Sequence, residues 1–218
     1  MGGGARPGAG QDHAPKKTLS AAERDAATRA AWRAEAAPRA PGDLVFLDET
    51  ASNVSMTPRY ARAPRGRRAH GAVPRNRGRH TTPLAARSVG GGGAARALPG
   101  ALDGAAFVAY VRAFLVPTLR PGQIVVLDNR AVHKGAAARR LLEARGCRRL
   151  FLPPYSPDLN PIAHACAKLK EHLRRAGART EDALHAALAA ALAASTTDDA
   201  RGWFRHCGYP PNEAQPLC

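Results

Sequence analysis

The sequence predicts an α/β protein, a mixed sheet flanked by helices. Three observations carry that prediction. Two short apolar runs, Leu44–Leu47 and Ile124–Leu127, each end in an aspartate, Asp48 and Asp128. A run this short and without period reads as a strand buried on both faces. Between them, residues 59 to about 96 mix basic, small and β-favouring residues with Gly and Pro, as a meander of two or three strands would. After Asp128 helical and strand-like text alternate. A meander followed by strand–helix alternation gives a sheet with both antiparallel and parallel neighbours.

The elements follow in order. Residues 1–17 are Gly-rich, basic and aperiodic, and are expected to be a disordered lead-in. Ser20-Ala21-Ala22-Glu23 reads as a capping box opening a helix to about Ala36, which Pro38 and Pro41-Gly42 end. Residues 18–41 are therefore expected to be a linker helix, a connector or outer element with Trp32 as its main large apolar residue. Residues 42–209 form the α/β domain, and 210–218 a tail. Within the domain, Asp103 caps a helix with Phe107, Val108, Val111, Phe114 and Leu115 on one face. Pro121-Gly122 breaks the chain before the second strand. Helical text from Lys134 to Arg145 precedes a short strand, Arg149–Leu152. The loop Pro153–Pro161 then leads into a helix with Ile162, Cys166, Leu169 and Leu173 on one stripe. An Ala-rich helix over 181–194 and a short element around Trp203-Phe204 complete the chain.

A hydrophobic fraction of 44% is ordinary for a folded domain. No run approaches the roughly 18 apolar residues a membrane helix needs, and the N-terminus lacks the apolar core of a signal peptide. A soluble, intracellular protein is the expectation. Cys147, Cys166, Cys207 and Cys218 are scattered, without a C-x-x-C pair, and read as bystanders rather than zinc ligands or a disulfide framework. The formal net charge of +16 points to a polyanionic partner, with a discount for an Arg-rich composition that a GC-rich genome alone would produce. Its distribution is more telling. Arg59, Arg62, Arg65, Arg67, Arg68, Arg75, Arg77 and Arg79 fall in one stretch with no acidic residue between 59 and 80. That stretch is either a solvated hairpin or a phosphate-tracking surface.

A strand ending in Asp is by itself often only a turn residue or a cap. Two such strands side by side bring two carboxylates together, a donor set for a hard divalent cation. Two-metal phosphoryl transfer needs several converging carboxylates, usually including one from a helix.

The strings FLDET (46–50), VVLDN (125–129) with His133-Lys134 just beyond, and FLPPYSPDLNPI (151–162) together resemble the DDE transposases. More narrowly, they resemble the bacterial insertion-sequence branch of the mariner-like superfamily. The segments at 59–68, 115–129, 167–175 and 204–209 fit the same pattern, so the resemblance spans residues 16 to 209. It implies an RNase H-like fold and a catalytic Asp–Asp–Glu triad binding two Mg²⁺ or Mn²⁺ ions. It also implies double-stranded DNA as the partner, both transposon ends and target, and leaves a homodimer as a candidate assembly. The expected location is the bacterial cytoplasm, at the nucleoid. The first acid falls on Asp48 and the second on Asp128, both as catalytic and metal-binding residues. The third, a Glu after 34 intervening residues, falls on position 163, which is Ala163.

No neighbour replaces that acid convincingly. His164 is rotated about 100° around the helix, Glu171 lies about 12 Å up its axis, and Asp158 lies in the preceding loop, at a reach that spacing does not fix. Glu49 points to the face opposite Asp48. The chain also departs from the pattern at Ala51, where a large residue is usual, and it lacks the usual N-terminal helix-turn-helix. Arg59, Arg62, Arg65, Arg67 and Arg68, with His133 and Lys134, are the nucleic-acid-binding candidates. Tyr155, Pro157 and Asn160 are expected to shape the loop rather than touch substrate, and Asn129 to be a turn residue. Three readings share this ancestry: an impaired nuclease and strand transferase, a non-catalytic DNA-binding remnant, and a relic of an insertion sequence.

Overall fold

A computed structural model of the chain describes residues 21–76 and 78–210. The Gly-rich lead-in, Ser20 of the expected capping box, Arg77 and residues 211–218 lie outside the described residues. Five strands form one sheet in the order β3-β2-β1-β4-β5, namely β1 (Leu44–Glu49), β2 (Thr81–Arg87), β3 (Ala95–Pro99), β4 (Ile124–Leu127) and β5 (Arg148–Phe151). β2 is antiparallel to both β1 and β3, while β4 is parallel to both β1 and β5. Parallel neighbours need crossovers, and the helices supply them.

Among the described residues six α-helices surround the sheet: α1 (Ala26–Ala36), α2 (Gly104–Tyr110), α3 (Ala136–Ala144), α4 (Pro161–Ala176), α5 (Glu181–Ala193) and α6 (Thr197–His206). Alternate residues of β1 and β4 enter two cores. Val45, Leu47, Val125 and Leu127 pack with Phe107, Val111 and Leu142 on the α2–α3 side. Leu44, Phe46, Ile124 and Val126 pack with Trp32, Ile162 and Phe204 on the other. Two apolar faces are why these strands read as unbroken apolar runs. The far half of α4 packs Leu169 and Leu173 against Leu184 and Leu188 of α5. Gly177 ends α4 in the left-handed region (φ 55°), its N–H donating to Leu173 O at 3.1 Å.

Four expectations change. The first helix starts at Ala26, because Asp25 accepts the Thr28 N–H at 2.5 Å and so caps it; Glu23 lies ahead of it in a turn. α1 is an outer element packed against the domain. Trp32 is 5% exposed, and buried Arg29 donates to Asp158 of the proline-rich loop at 2.6 and 3.1 Å, with Arg24 at 2.8 Å. The Arg29 hydrogen bonds hold the Asp158 carboxyl below the usual range. Replacing Asp158 with Ala strands the Arg29 guanidinium without its partner. A loss of about 1–2 kcal/mol is expected in denaturant unfolding, and an unchanged midpoint would contradict the clamp.

The meander is also shorter than expected. It consists of β2 and β3 alone, and residues 59–76 and 78–80 contain no strand. Pro58, Pro64 and Pro74 withhold the N–H donors a ladder requires. Phe114, expected on the buried face, is 38% exposed, with Arg96 stacked over its ring at 5.2 Å. A wide π-helical turn over Val111–Leu115 aligns Phe107, Val111 and Leu115 toward the core and turns Phe114 out. Finally, α3 begins at Ala136, after a separate 3-10 turn over Ala131–Lys134. Among the described residues no helix is long and apolar enough to cross a membrane. Cys147, Cys166 and Cys207 are free thiols, and burial pushes Cys166 up to about 12.

Candidate active site

The parallel pairing of β1 with β4 sets Phe46 opposite Val126. Continuing that register by two residues brings Asp48 level with Asp128 at the C-terminal edge of the sheet. Burial, and then the charge of Asp128, raise the Asp48 carboxyl to about 6. Two hydrogen bonds orient it. Oδ1 accepts the Glu49 N–H at 2.8 Å, and Oδ2 accepts Nδ2 of Asn160 at 3.2 Å. Asn160 immediately precedes α4, so this bond ties the start of that helix to the first acid.

Asp128 is held from the other side. Its Oδ1 accepts the Arg130 N–H at 3.1 Å and lies 2.6 Å from Nδ1 of His133. The His133 ring is fully buried and packs on Phe107 at 4.7 Å between centroids. Its Nε2 is 3.3 Å from Oε2 of Glu49, whose Oε1 meets the Arg130 guanidinium. Glu49 does face away from Asp48, as strand alternation requires, yet His133 links it around the strand ends to Asp128.

Ala163 lies in the first turn of α4, half-buried, its N–H bonded to Asn160 O at 3.1 Å. A methyl group offers no oxygen to a cation. The other nearby ligand types are engaged elsewhere. His164 packs edge-on against His206 (4.9 Å), Glu171 pairs with Arg175 (3.1 Å), and Asp158 holds α1. Among the described residues no group of three or more His, Cys, Asp or Glu side chains is placed to hold a metal ion. Asp48 and Asp128 are the pair that could share one.

A family model described as DDE superfamily endonuclease matches residues 43–185, well over half the chain and all of this site. The chain belongs to the DDE superfamily endonucleases. Its fold is the RNase H-like mixed sheet of solved transposase structures. The mariner Mos1 paired-end complex with Mg has a TM-score of 0.68 at 18% identity, over 92% of this chain and 64% of that one. The same complex with Mn gives 0.64 at 19%, over 90% and 63%. The Mos1 catalytic domain with Raltegravir and Mg gives 0.59 at 18%, over 85% and 87%. The chain thus spans under two thirds of the transposase chains in those complexes and most of the isolated catalytic domain. No curated protein matches it significantly.

On this DDE scaffold the expected DNA-binding residues divide. Arg59, Arg62, Arg65, Arg67 and Arg68 are all exposed on an irregular stretch, with no carboxylate in ion-pair range among the described residues. Lys134 is exposed as well. His133, expected among the DNA-binding residues, is instead fully buried, its Nδ1 2.6 Å from Oδ1 of Asp128. Asn129 is an exposed turn residue. Sequence reasoning missed Asn160 as a partner of Asp48, a contact across 112 residues of sequence.

A raised Asp48 implies a stability cost near neutrality. The native state holds this proton up to about pH 6, whereas an unfolded Asp releases it near 3.9. Between those values the native state binds more protons, so this group's contribution to stability falls as pH rises from about 4 to 6 and is flat above. Asp48→Asn removes that cost, and the amide of Asn160 can turn its unpartnered Oδ1 toward the new donor. The variant is expected to be about 1–2 kcal/mol more stable at pH 7 and indistinguishable at pH 4, read by urea unfolding at both. Equal or lower stability at pH 7 would contradict the buried, charge-crowded site.

Proposed function

We propose that the chain is the catalytic domain of a DDE transposase of the bacterial insertion-sequence branch, working at the nucleoid on double-stranded DNA, with cleavage impaired by loss of its third acid. The single observation that carries this reading is the pairing of Asp48 and Asp128 beside a helix start that bears Ala163. The reaction of this class is attack of water on a phosphodiester at a transposon end, releasing a 3′-hydroxyl. That hydroxyl then attacks a phosphodiester of target DNA, whose own 3′-oxygen leaves. A homodimer is a candidate assembly.

The donor set fits one divalent ion between Asp48 and Asp128, and it does not fit the two-ion arrangement, which needs a further carboxylate. A bound Mg²⁺ or Mn²⁺ supplies charge stabilisation to the reacting oxygens. The residues of the chain do the rest. Asn160 and the Glu49 N–H aim the Asp48 carboxylate, and His133 with the Arg130 N–H aims that of Asp128. The exposed Arg59, Arg62, Arg65, Arg67 and Arg68 neutralise phosphates along the duplex.

A second reading, a DNA-binding remnant without catalysis, is favoured by the lack of any three-donor group among the described residues. Nicking of element-end DNA by the purified chain separates the two: slow Mg²⁺-dependent cutting supports the impaired enzyme, and none at any enzyme concentration supports the remnant. DNA binding is common to both. Affinity for duplex DNA is expected to fall steeply with salt, and Arg65, Arg67 and Arg68 replaced together by Ala should lower the log–log slope by roughly 2–3. An unchanged slope would return the stretch to a solvated loop.

A further inference from the structure

Tyr155 is an exposed aromatic held in a conformation that side chains avoid. It is 59% exposed, and among the described residues it is the one non-glycine residue with positive φ, at 52°. Left-handed backbone at a bulky residue persists only where the surroundings fix it, and such outliers gather at functional sites. The surroundings here do fix it. Ser156, which follows it, and Pro153, two residues before it, are buried, and the Ser156 hydroxyl donates to Pro154 O at 3.1 Å. Leu159 N–H closes the turn onto Ser156 O at 3.1 Å, and the Tyr209 hydroxyl clamps Leu159 O at 2.9 Å. Asn160 then anchors the far end on Asp48.

The loop also leaves the sheet at the right place. Leu127 pairs with Phe151, and Leu152 N–H donates to Leu127 O at 2.8 Å, so the loop root is level with Asp128. The loop that carries the exposed Tyr155 is thus rooted at both ends beside the acids, at Leu152 next to Leu127 and at Asn160 on Asp48. We propose that Tyr155 forms a binding subsite for an unstacked nucleobase next to the candidate scissile phosphate. The proposal rests on the DNA-binding reading above and adds the chemistry of recognition. Every base has a π-face, so stacking on Tyr155 needs no particular sequence. Bases free to stack occur at strand ends and nicks, the structures that strand cleavage creates.

The test uses the full chain and two probes: a blunt duplex, and the same duplex with a single-stranded overhang carrying 2-aminopurine. The unmodified chain and Tyr155→Phe should quench the 2-aminopurine on binding, and should prefer the overhang. Tyr155→Ala should abolish the quench and lower overhang affinity roughly tenfold while leaving blunt-duplex affinity within about twofold. Tyr155→Gly, which suits the left-handed backbone, should bind like Tyr155→Ala yet unfold no earlier than the unmodified chain, separating stacking from folding. Undiminished quenching and overhang affinity in Tyr155→Ala would overturn the subsite. If the unmodified chain binds neither probe, the DNA-binding reading itself fails, and the subsite with it.

Discussion

The Ala163→Glu variant is expected to nick element-end DNA in Mg²⁺ roughly 10²–10⁴ times faster than the unmodified chain. A third carboxylate adds both a ligand and the charge that keeps a second ion in place. Metal-borne charge stabilisation is worth several kcal/mol, and each decade of rate needs about 1.4 kcal/mol. The scaffold is suited to receive it. Ala163 is the third residue of α4, whose first turn contains no acidic side chain, so a glutamate there also complements the helix dipole. Asn160 already fixes the start of the helix to Asp48 at 3.2 Å, so the added carboxylate comes from an element anchored on the first acid. Equal rates for variant and unmodified chain would mean that something other than Ala163 limits the site.

His133→Ala is expected to be the most destabilising single change in the site, by about 3–5 kcal/mol in urea unfolding. The ring is fully buried, so its loss opens a cavity against Phe107. It also strips Glu49 and Asp128 of the group between them. Glu49 is 7% exposed on its side chain and would be left with Arg130 alone. Against a typical domain stability of about 5–15 kcal/mol such a loss is large. His133→Asn, which keeps one donor toward Asp128, should cost less. A cost below about 1 kcal/mol for the alanine variant would show that the ring is not the bridge its geometry describes.

The parts of the fold that the sequence made legible are those where one local cause dominates. Leu44–Leu47 and Ile124–Leu127 are buried on both faces, and nothing but a central strand explains so short an apolar run. Asp103 caps α2 as expected, its carboxylate accepting the Ala106 N–H at 2.8 Å. The significance of the alanine at 163 came through the resemblance, which sets the third acid after 34 residues beyond Asp128. Other features were set by tertiary contacts. β-favouring residues between 59 and 80 lose to the prolines among them. Phe114 turns outward because a π-helical turn shifts the helix phase. Asn160 meets Asp48 across 112 residues of sequence, and no spacing rule anticipates a side-chain contact of that range. His133 follows Asp128 by only five residues, yet its burial depends on Phe107 from α2. The unusual backbone of Tyr155 likewise comes from anchors at both ends of its loop.

In the proposed site two carboxylates remain, and the third ligand is lost. Calorimetric titration with Mn²⁺ tests this most directly, comparing the unmodified chain with Ala163→Glu at pH 7, above the Asp48 titration near 6. The expected result is one weakly bound ion for the unmodified chain, and two ions with higher affinity for the variant. Two ions bound by the unmodified chain as tightly as by the variant would contradict the claim, since another group would then be completing the site.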